Sequence, residues 1–206
     1  MSPLPPSFTE DVSGLDTYAF GHRSLTWWGV VGFMVIEGVF FAMLFAAYFF
    51  LMSHEQGWPP EPRLAPDLLA GTLFTMLILV SEIPNTWIKN AAKAHDTHKV
   101  RRLLWMPVAI GLVLFVLRGL EFNSLHLMWY DNAYASVIWA LLFLHTLHLG
   151  TDWVDTLVLA FLVQTEQGFE PRKLVDAEEN SFYWRFVWLS WLPVYLLIYW
   201  VPRWAA

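Results

Sequence analysis

The sequence predicts an all-α fold, a polytopic membrane protein built as a bundle of five transmembrane helices. Three observations carry this. Of the 206 residues, 57% are hydrophobic and only 15% are charged, against about 25% charged in soluble domains. So few charges cannot cover a water-facing surface of this size. Five apolar runs meet or approach the ~20 residues that cross a bilayer core as helix. The tryptophans, thirteen in all, gather near the ends of those runs, where an apolar ring with a polar N–H is favoured. The runs lack the period-two alternation of a membrane barrel.

Residues 1–26 read as a polar N-terminal tail, with Pro3, Pro5, Pro6, Glu10, Asp11 and Asp16 before the first basic residue, Arg23. A cleavable signal needs a basic start followed by an apolar run, and this stretch has neither. Residues 27–206 form a single membrane domain with helices expected over about 27–52, 68–88, 103–125, 133–163 and 182–204. The first is interrupted only by Glu37. The second carries Glu82 ahead of Pro84, which predicts a kink because proline lacks the N–H and crowds the preceding turn. The third ends with Arg118 and Glu121, and the fourth holds His145, His148, Asp152 and Asp155.

The connections are expected to be short. Pro59, Pro60, Pro62 and Pro66 fill the first. The stretch 89–102 reads as a basic polar loop, with His95 and His98 solvated in it. The stretch 164–181 reads as an acidic loop containing Asp176, Glu178 and Glu179. Lys and Arg divide nine against three between the two sides: Arg23, Lys89, Lys93, Lys99, Arg101, Arg102, Arg172, Lys173 and Arg185 against Arg63, Arg118 and Arg203. The richer side is expected in the cytoplasm, with the N-terminus inside, the C-terminus periplasmic and Arg185 snorkelling to the headgroups from the first turn of its helix. The expected location is a bacterial inner membrane.

A net charge of −6 and the want of a basic stripe argue against nucleic acid as a partner. With no cysteine, thiolate metal sites and iron–sulfur clusters are excluded. The sequence holds no Walker loop, no G-x-G-x-x-G and no H-E-x-x-H. Haem centres need inward-facing histidines, normally on different helices, whereas His145 and His148 share one. The chain is expected to hold no cofactor, metal or redox centre of its own.

An ionisable side chain at the bilayer centre costs roughly 2.5–3.5 kcal/mol on insertion scales, so each one inside a span is a functional candidate. Glu37 lies about ten residues into the first run, roughly 15 Å deep at 1.5 Å per residue. Its helical face also carries Phe33, Phe40, Phe41 and Leu44. Such surroundings disfavour the charged form. Two readings stand: a protonated acid that exchanges protons, or a neutral acid hydrogen-bonded to a neighbouring helix. On the fourth helix, spacings of 3, 4 and 3 place His145, His148, Asp152 and Asp155 within an arc of about 80°. That stripe fits a metal site, a proton-conducting row or a buried interhelical face whose members satisfy one another. Arg118 and Glu121, one turn apart, read as a structural ion pair.

Four motifs then add a resemblance. The first span contains Gly32, Glu37, Phe40 and Phe41, followed by Ala47-Tyr48-Phe49, similar to the glutamate and double-phenylalanine signature of subunit III of haem–copper terminal oxidases (the cytochrome c oxidase subunit 3 family). Glu121-Phe122 resembles that family's glutamate–aromatic pair. Asp131, Tyr134 and Ser136, then His145 and His148, resemble its Asp-x-x-Tyr-x-Ser and His-x-x-His patterns. The last span opens Phe182-Tyr183-Trp184 and closes Tyr199-Trp200, similar to the family's opening and Tyr-Trp close, although Arg185 and Trp188 replace its histidine and aspartate. The family's long members have seven helices, the first pair walling a lipid cleft; no counterpart of that pair is expected among these 206 residues, as in five-helix members.

The resemblance implies a bundle packed beside the large catalytic oxidase subunit and other oxidase subunits. Haem and copper would sit in those partners, and phospholipid would be a bound ligand. The implied role is to support proton uptake and protect the catalytic subunit during turnover, with Glu37, His145 and His148 as the family's positions and Asp152 and Asp155 as added acids. A shortened subunit III homologue accompanying nitric oxide reductase shares these features. A stand-alone proton channel or transporter built on Glu37 and the helix-four stripe is the reading from another class.

Overall fold

Three of the interruptions within the spans of this bundle can be traced to prolines. The computed structural model describes residues 18–55, 57–60, 65–165 and 170–205; the tail residues 1–17, Pro62 and Arg63 lie outside them. Helix α1 spans Leu25–His54, α2 Leu68–Val80, α3 Glu82–Lys93, α4 Thr97–Leu103, α5 Trp105–Asn123, α6 Ala133–Leu162, α7 Pro171–Tyr195 and α8 Val201–Ala205. A π-helical turn, Leu196–Trp200, joins the last two. A proline leaves the carbonyl four residues earlier without its N–H partner. Pro84 does this to Val80, the last residue of α2. Pro107 does it to Leu103, the last residue of α4. Pro202 does it to Ile198, inside the π turn. The kink anticipated at Pro84 is therefore one of three.

Collinear pieces give five helices long and apolar enough to cross a membrane: Leu25–His54, Leu68–Lys93, Thr97–Asn123, Ala133–Leu162 and Pro171–Ala205. No strand occurs among the described residues. Two of the expected loops prove largely helical. Between α3 and α4 only residues 94–96 leave the helix, with His95 at φ 57° and the Asp96 side chain capping the Lys99 N–H at 3.0 Å. Helix α7 begins at Pro171, eleven residues before the expected start. In both places hydropathy marks where lipid ends, while the helix continues into polar surroundings. His95 and His98 are exposed, as expected of them.

The early start of α7 moves three residues from where the sequence placed them. Glu178 and Glu179 are buried, at 3% and 7% exposure. Glu178 faces Lys89 at 3.8 Å and Lys93 at 3.7 Å, and Glu179 accepts from the Ser24 and Thr26 hydroxyls at 3.1 and 2.9 Å. Arg185 lies four turns into the helix rather than in its first turn, and bonds Glu82 at 2.6 Å instead of snorkelling. Trp184 likewise is no interfacial residue: it is buried and donates to Ser81 Oγ at 2.9 Å. Trp28, Trp87, Trp105, Trp129 and Trp204 stay exposed in the interfacial positions assigned to them.

Helices α6 and α7 form the centre, α7 packing on α1, α2, α3 and α6. The main core gathers Phe41, Tyr48, Phe74, Ile78, Leu141, Trp184 and Trp191 around them. Helix α1 is peripheral, burying only Glu37, Phe41 and Tyr48 of its 30 residues. Trp58 folds back under the opposite end, its Nε1 donating to Tyr48 Oη at 2.9 Å while Tyr48 donates to the Leu197 carbonyl at 2.8 Å. Helices α5 and α6 meet at Gly111, where any Cβ would strike the Trp153 ring. That ring is held by its bond to the Val108 carbonyl at 2.9 Å. Gly111→Val is expected to lose about 1–3 kcal/mol through overpacking, read as a lower thermal midpoint in detergent.

Candidate functional site

Glu37 sits about 18 Å along α1 from Leu25, at 1.5 Å per residue, and turns inward to two other helices. Tyr183 of α7 donates its hydroxyl to Oε2 at 2.7 Å. His148 Nε2 of α6 lies 3.1 Å from Oε1. The other imidazole nitrogen, Nδ1, is 2.6 Å from the Leu144 carbonyl. A carbonyl oxygen only accepts, so Nδ1 carries a hydrogen. That leaves a single proton to lie between Nε2 and Oε1. Whether it rests on the acid or the imidazole, the pair has no net charge. Aromatic rings close around it, with Phe41 at 5.1 Å and Phe186 at 6.2 Å from the imidazole.

A second buried cluster ties α2, α5, α6 and α7 together. Arg118 Nη1 bonds Glu121 Oε2 at 2.6 Å, with side-chain exposures of 2% and 0%. Its Nη2 donates to His145 Nδ1 at 2.9 Å. His145 Nε2 lies 3.0 Å from the Val187 carbonyl and must donate to it. Both imidazole nitrogens are thus committed in one neutral tautomer. Tyr199 donates to the other Glu121 oxygen at 2.5 Å. The guanidinium is sandwiched between Phe74, 3.9 Å from its centroid, and Trp191 at 4.3 Å. A buried ion pair survives only when its remaining hydrogen-bonding sites are occupied. Here the imidazole, the phenol and two aromatic faces supply most of what water would have supplied, and Arg118 Nε alone of the guanidinium nitrogens is buried without a hydrogen-bond partner.

The stripe of His145, His148, Asp152 and Asp155, on α6, does not act as one interface, and its members do not satisfy one another. His145 turns to α5 and α7, and His148 to α1. Asp152 is 2% exposed, with Oδ1 buried and unpartnered. It lines a cavity of about 610 Å³ between α1, α6 and α7. Asp155 is at the rim, accepting from Asn180 Nδ2 at 3.3 Å. All four imidazole nitrogens of the pair already hold protein partners, so metal ligation would require breaking those bonds. Among the described residues no group of three or more His, Asp and Glu is placed to hold a metal ion.

Arg185 and Trp188, where the sequence departs from the motif it resembles, converge on one carboxylate. Glu82 accepts from Arg185 Nε at 2.6 Å and Trp188 Nε1 at 3.2 Å, and also from Asn85 and Thr86. Sequence reasoning named Glu37 and His148 separately and missed that they meet. It also missed Tyr183 and Tyr199, which close both clusters. Their signal was present: each tyrosine belongs to a motif segment of the last span, yet its hydroxyl needs a buried acceptor that only packing reveals.

The class defined by these features is a polytopic α-helical membrane protein whose ionisable groups turn inward and gather in hydrogen-bonded clusters that link its helices. The family model for cytochrome c oxidase subunit III matches residues 9–205. Among similar proteins, cytochrome c oxidase subunit 3 of Thermostichus vulcanus is 24% identical over 186 residues, covering 90% of this chain and 92% of its own. That of Synechocystis is 26% identical over 181 residues, covering 87% and 77%. That of Artemia franciscana is 29% identical over 184 residues, covering 84% and 68%. The chain belongs to the cytochrome c oxidase subunit III family.

Proposed function

We propose that this chain serves a respiratory haem–copper oxidase from outside the redox centres, seated against the large catalytic subunit that carries haem and copper. The carrying observation is that its intramembrane acids and bases, Asp152 apart, are spent in two hydrogen-bonded clusters. Glu37, His148 and Tyr183 share hydrogen bonds, as do Arg118, Glu121, His145 and Tyr199. What this leaves for exchange is the proton shared by Glu37 and His148. The family match supports the subunit role, and the charge-neutral pair supports a part in proton supply. His145 acts as a structural bridge, and Arg118 with Glu121 as a clamp. The end bearing Lys89, Lys93, Lys99, Arg101, Arg102, Arg172 and Lys173 faces the cytoplasm of a bacterial inner membrane. Exposed apolar faces of α1, including Val35, Phe40 and Met43, contact phospholipid or partner helices.

Purification of the oxidase with and without this chain tests the reading. The depleted complex is expected to keep its haem absorbance and reduce oxygen initially, then take up protons more slowly and lose activity during turnover. Loss of haem or copper along with the chain would contradict it.

A further inference from the structure

We propose that the cavity between α1, α6 and α7 holds water and is a proton vestibule, entered from the basic end, through which the Glu37–His148 pair exchanges protons with the cytoplasm. The proposal rests on the reading of that pair as sharing an exchangeable proton.

The cavity has the room for this, and although Val30, Phe33, Val158, Leu159 and Leu162 make much of its lining apolar, each of its three walls carries polar groups. Its volume of about 610 Å³ holds about twenty waters at ~30 Å³ each. Thr26 and Gly29 of α1 form one wall, Asp152 and Asp155 of α6 the second, Asp176 and Glu179 of α7 the third. Buried polar atoms in folded proteins nearly always have a hydrogen-bond partner, in protein or in ordered water. Asp152 Oδ1 is buried with no protein partner, on the cavity wall. Water in the cavity supplies what this oxygen lacks.

The acids are spaced as relays. Asp155, Asp152 and His148 follow one another along α6 at three and four residues, a rise of about 4.5 and 6 Å. Asp176 lies at the mouth beside Lys173, 3.1 Å away. Asp155 is fixed there by Asn180. Tyr183 borders the inner end and bonds Glu37 directly. Bridging waters join polar groups that do not touch directly. The charged and titratable groups facing Asp152 are therefore Glu37 from α1, His148 and Asp155 from α6, and Lys173, Asp176, Glu179 and Tyr183 from α7. The step is a simple one: a proton from cytoplasmic water passes along the water chain to the pair, making and breaking only O–H and N–H bonds, and returns by the same path.

Beyond the pair the way is shut. Phe41 and Phe186 pack on the His148 ring. His145, one turn further, has both nitrogens committed. Behind it the Arg118–Glu121 pair is closed by His145 and Tyr199, each holding a protein partner, so the route meets a dry, packed cluster. The arrangement is a one-sided store, not a transmembrane channel.

The cysteine-free sequence makes the test direct. Asp152→Cys, Asp155→Cys, Thr75→Cys and Trp129→Cys are each introduced into the full complex in sealed vesicles of both orientations. A membrane-impermeant charged methanethiosulfonate is added, and modification is read from the mass of this chain. The vestibule predicts labelling at 152 and 155 from the cytoplasmic face only, at Trp129→Cys from the other face, and none at Thr75→Cys. Silence at 152 from both faces, including silence with a phospholipid retained in its place, overturns the proposal, as does labelling from both. A second measurement uses a milder change: infrared spectroscopy follows hydrogen–deuterium exchange of the Glu37 carboxyl. Asp152→Asn is expected to slow that exchange about a hundredfold, the size of effect a positioned proton carrier has. An unchanged rate overturns delivery to Glu37 even if the cavity is wet. A Glu37–His148 pair showing no exchangeable proton would instead defeat the underlying reading while leaving the labelling result intact.

Discussion

Arg118→Leu is expected to destabilise the bundle by about 3–5 kcal/mol, the usual cost of removing one partner of a buried ion pair. The substitution leaves Glu121 charged or forced to protonate in a site with no access to water, and it frees Nδ1 of His145. Leucine also loses the stacking of the guanidinium between Phe74 and Trp191. Lysine does not rescue it, because one ammonium cannot reach both Glu121 and His145 in the planar geometry that the fork provides. The double variant Arg118→Leu/Glu121→Leu should recover much of the loss, since no buried charge then remains. Thermal midpoints in detergent and the amount of assembled complex are the readouts. A single variant as stable as the parent would show that the cluster is not closed as described.

Glu37→Leu and Glu37→Gln are expected to part company. Leucine takes the acceptor from the half-buried Tyr183 hydroxyl and strands buried His148 Nε2, an unpaired polar group costing about 1–3 kcal/mol. Glutamine keeps both contacts: its carbonyl accepts from Tyr183 and its amide donates to His148 Nε2. Glu37→Gln should therefore assemble with stability within about 1 kcal/mol of the parent, while holding no shared proton. Proton uptake by the assembled oxidase should fall with either variant, and stability only with leucine. Equal proton uptake in parent and Glu37→Gln would remove the pair from proton supply.

The five spans were legible because lipid solubility is written into local composition. Their lengths were not. Residues 171–181 contain Arg172, Lys173, Asp176, Glu178 and Glu179, which read as a loop by hydropathy yet continue α7 past the lipid. Helix formation needs no apolar residues where the helix end meets water and other helices. Pro84 was legible as a break; Pro107 and Pro202 obey the same rule and went unread because they fall near the ends of their runs.

At the site, spacing gives the direction of a side chain around its own helix and nothing about the neighbour it meets. His145 and His148 differ by about 60° in azimuth. That small turn sends one to Arg118 and the other to Glu37, because different helices stand on either side. The Glu37–His148 meeting and the closing tyrosines depend on helix order and depth, which a one-dimensional pattern does not contain.

The account's central claim is that this chain serves a redox-active neighbour without handling electrons. Purification in mild detergent through a tag on this chain, with an absorbance spectrum of the product and of the separated chain, tests it most directly. The prediction is a haem-bearing partner in the complex and no haem absorbance from the chain alone. Stoichiometric haem or copper on the isolated chain, or proton transport by it in liposomes with no companion, would contradict the claim.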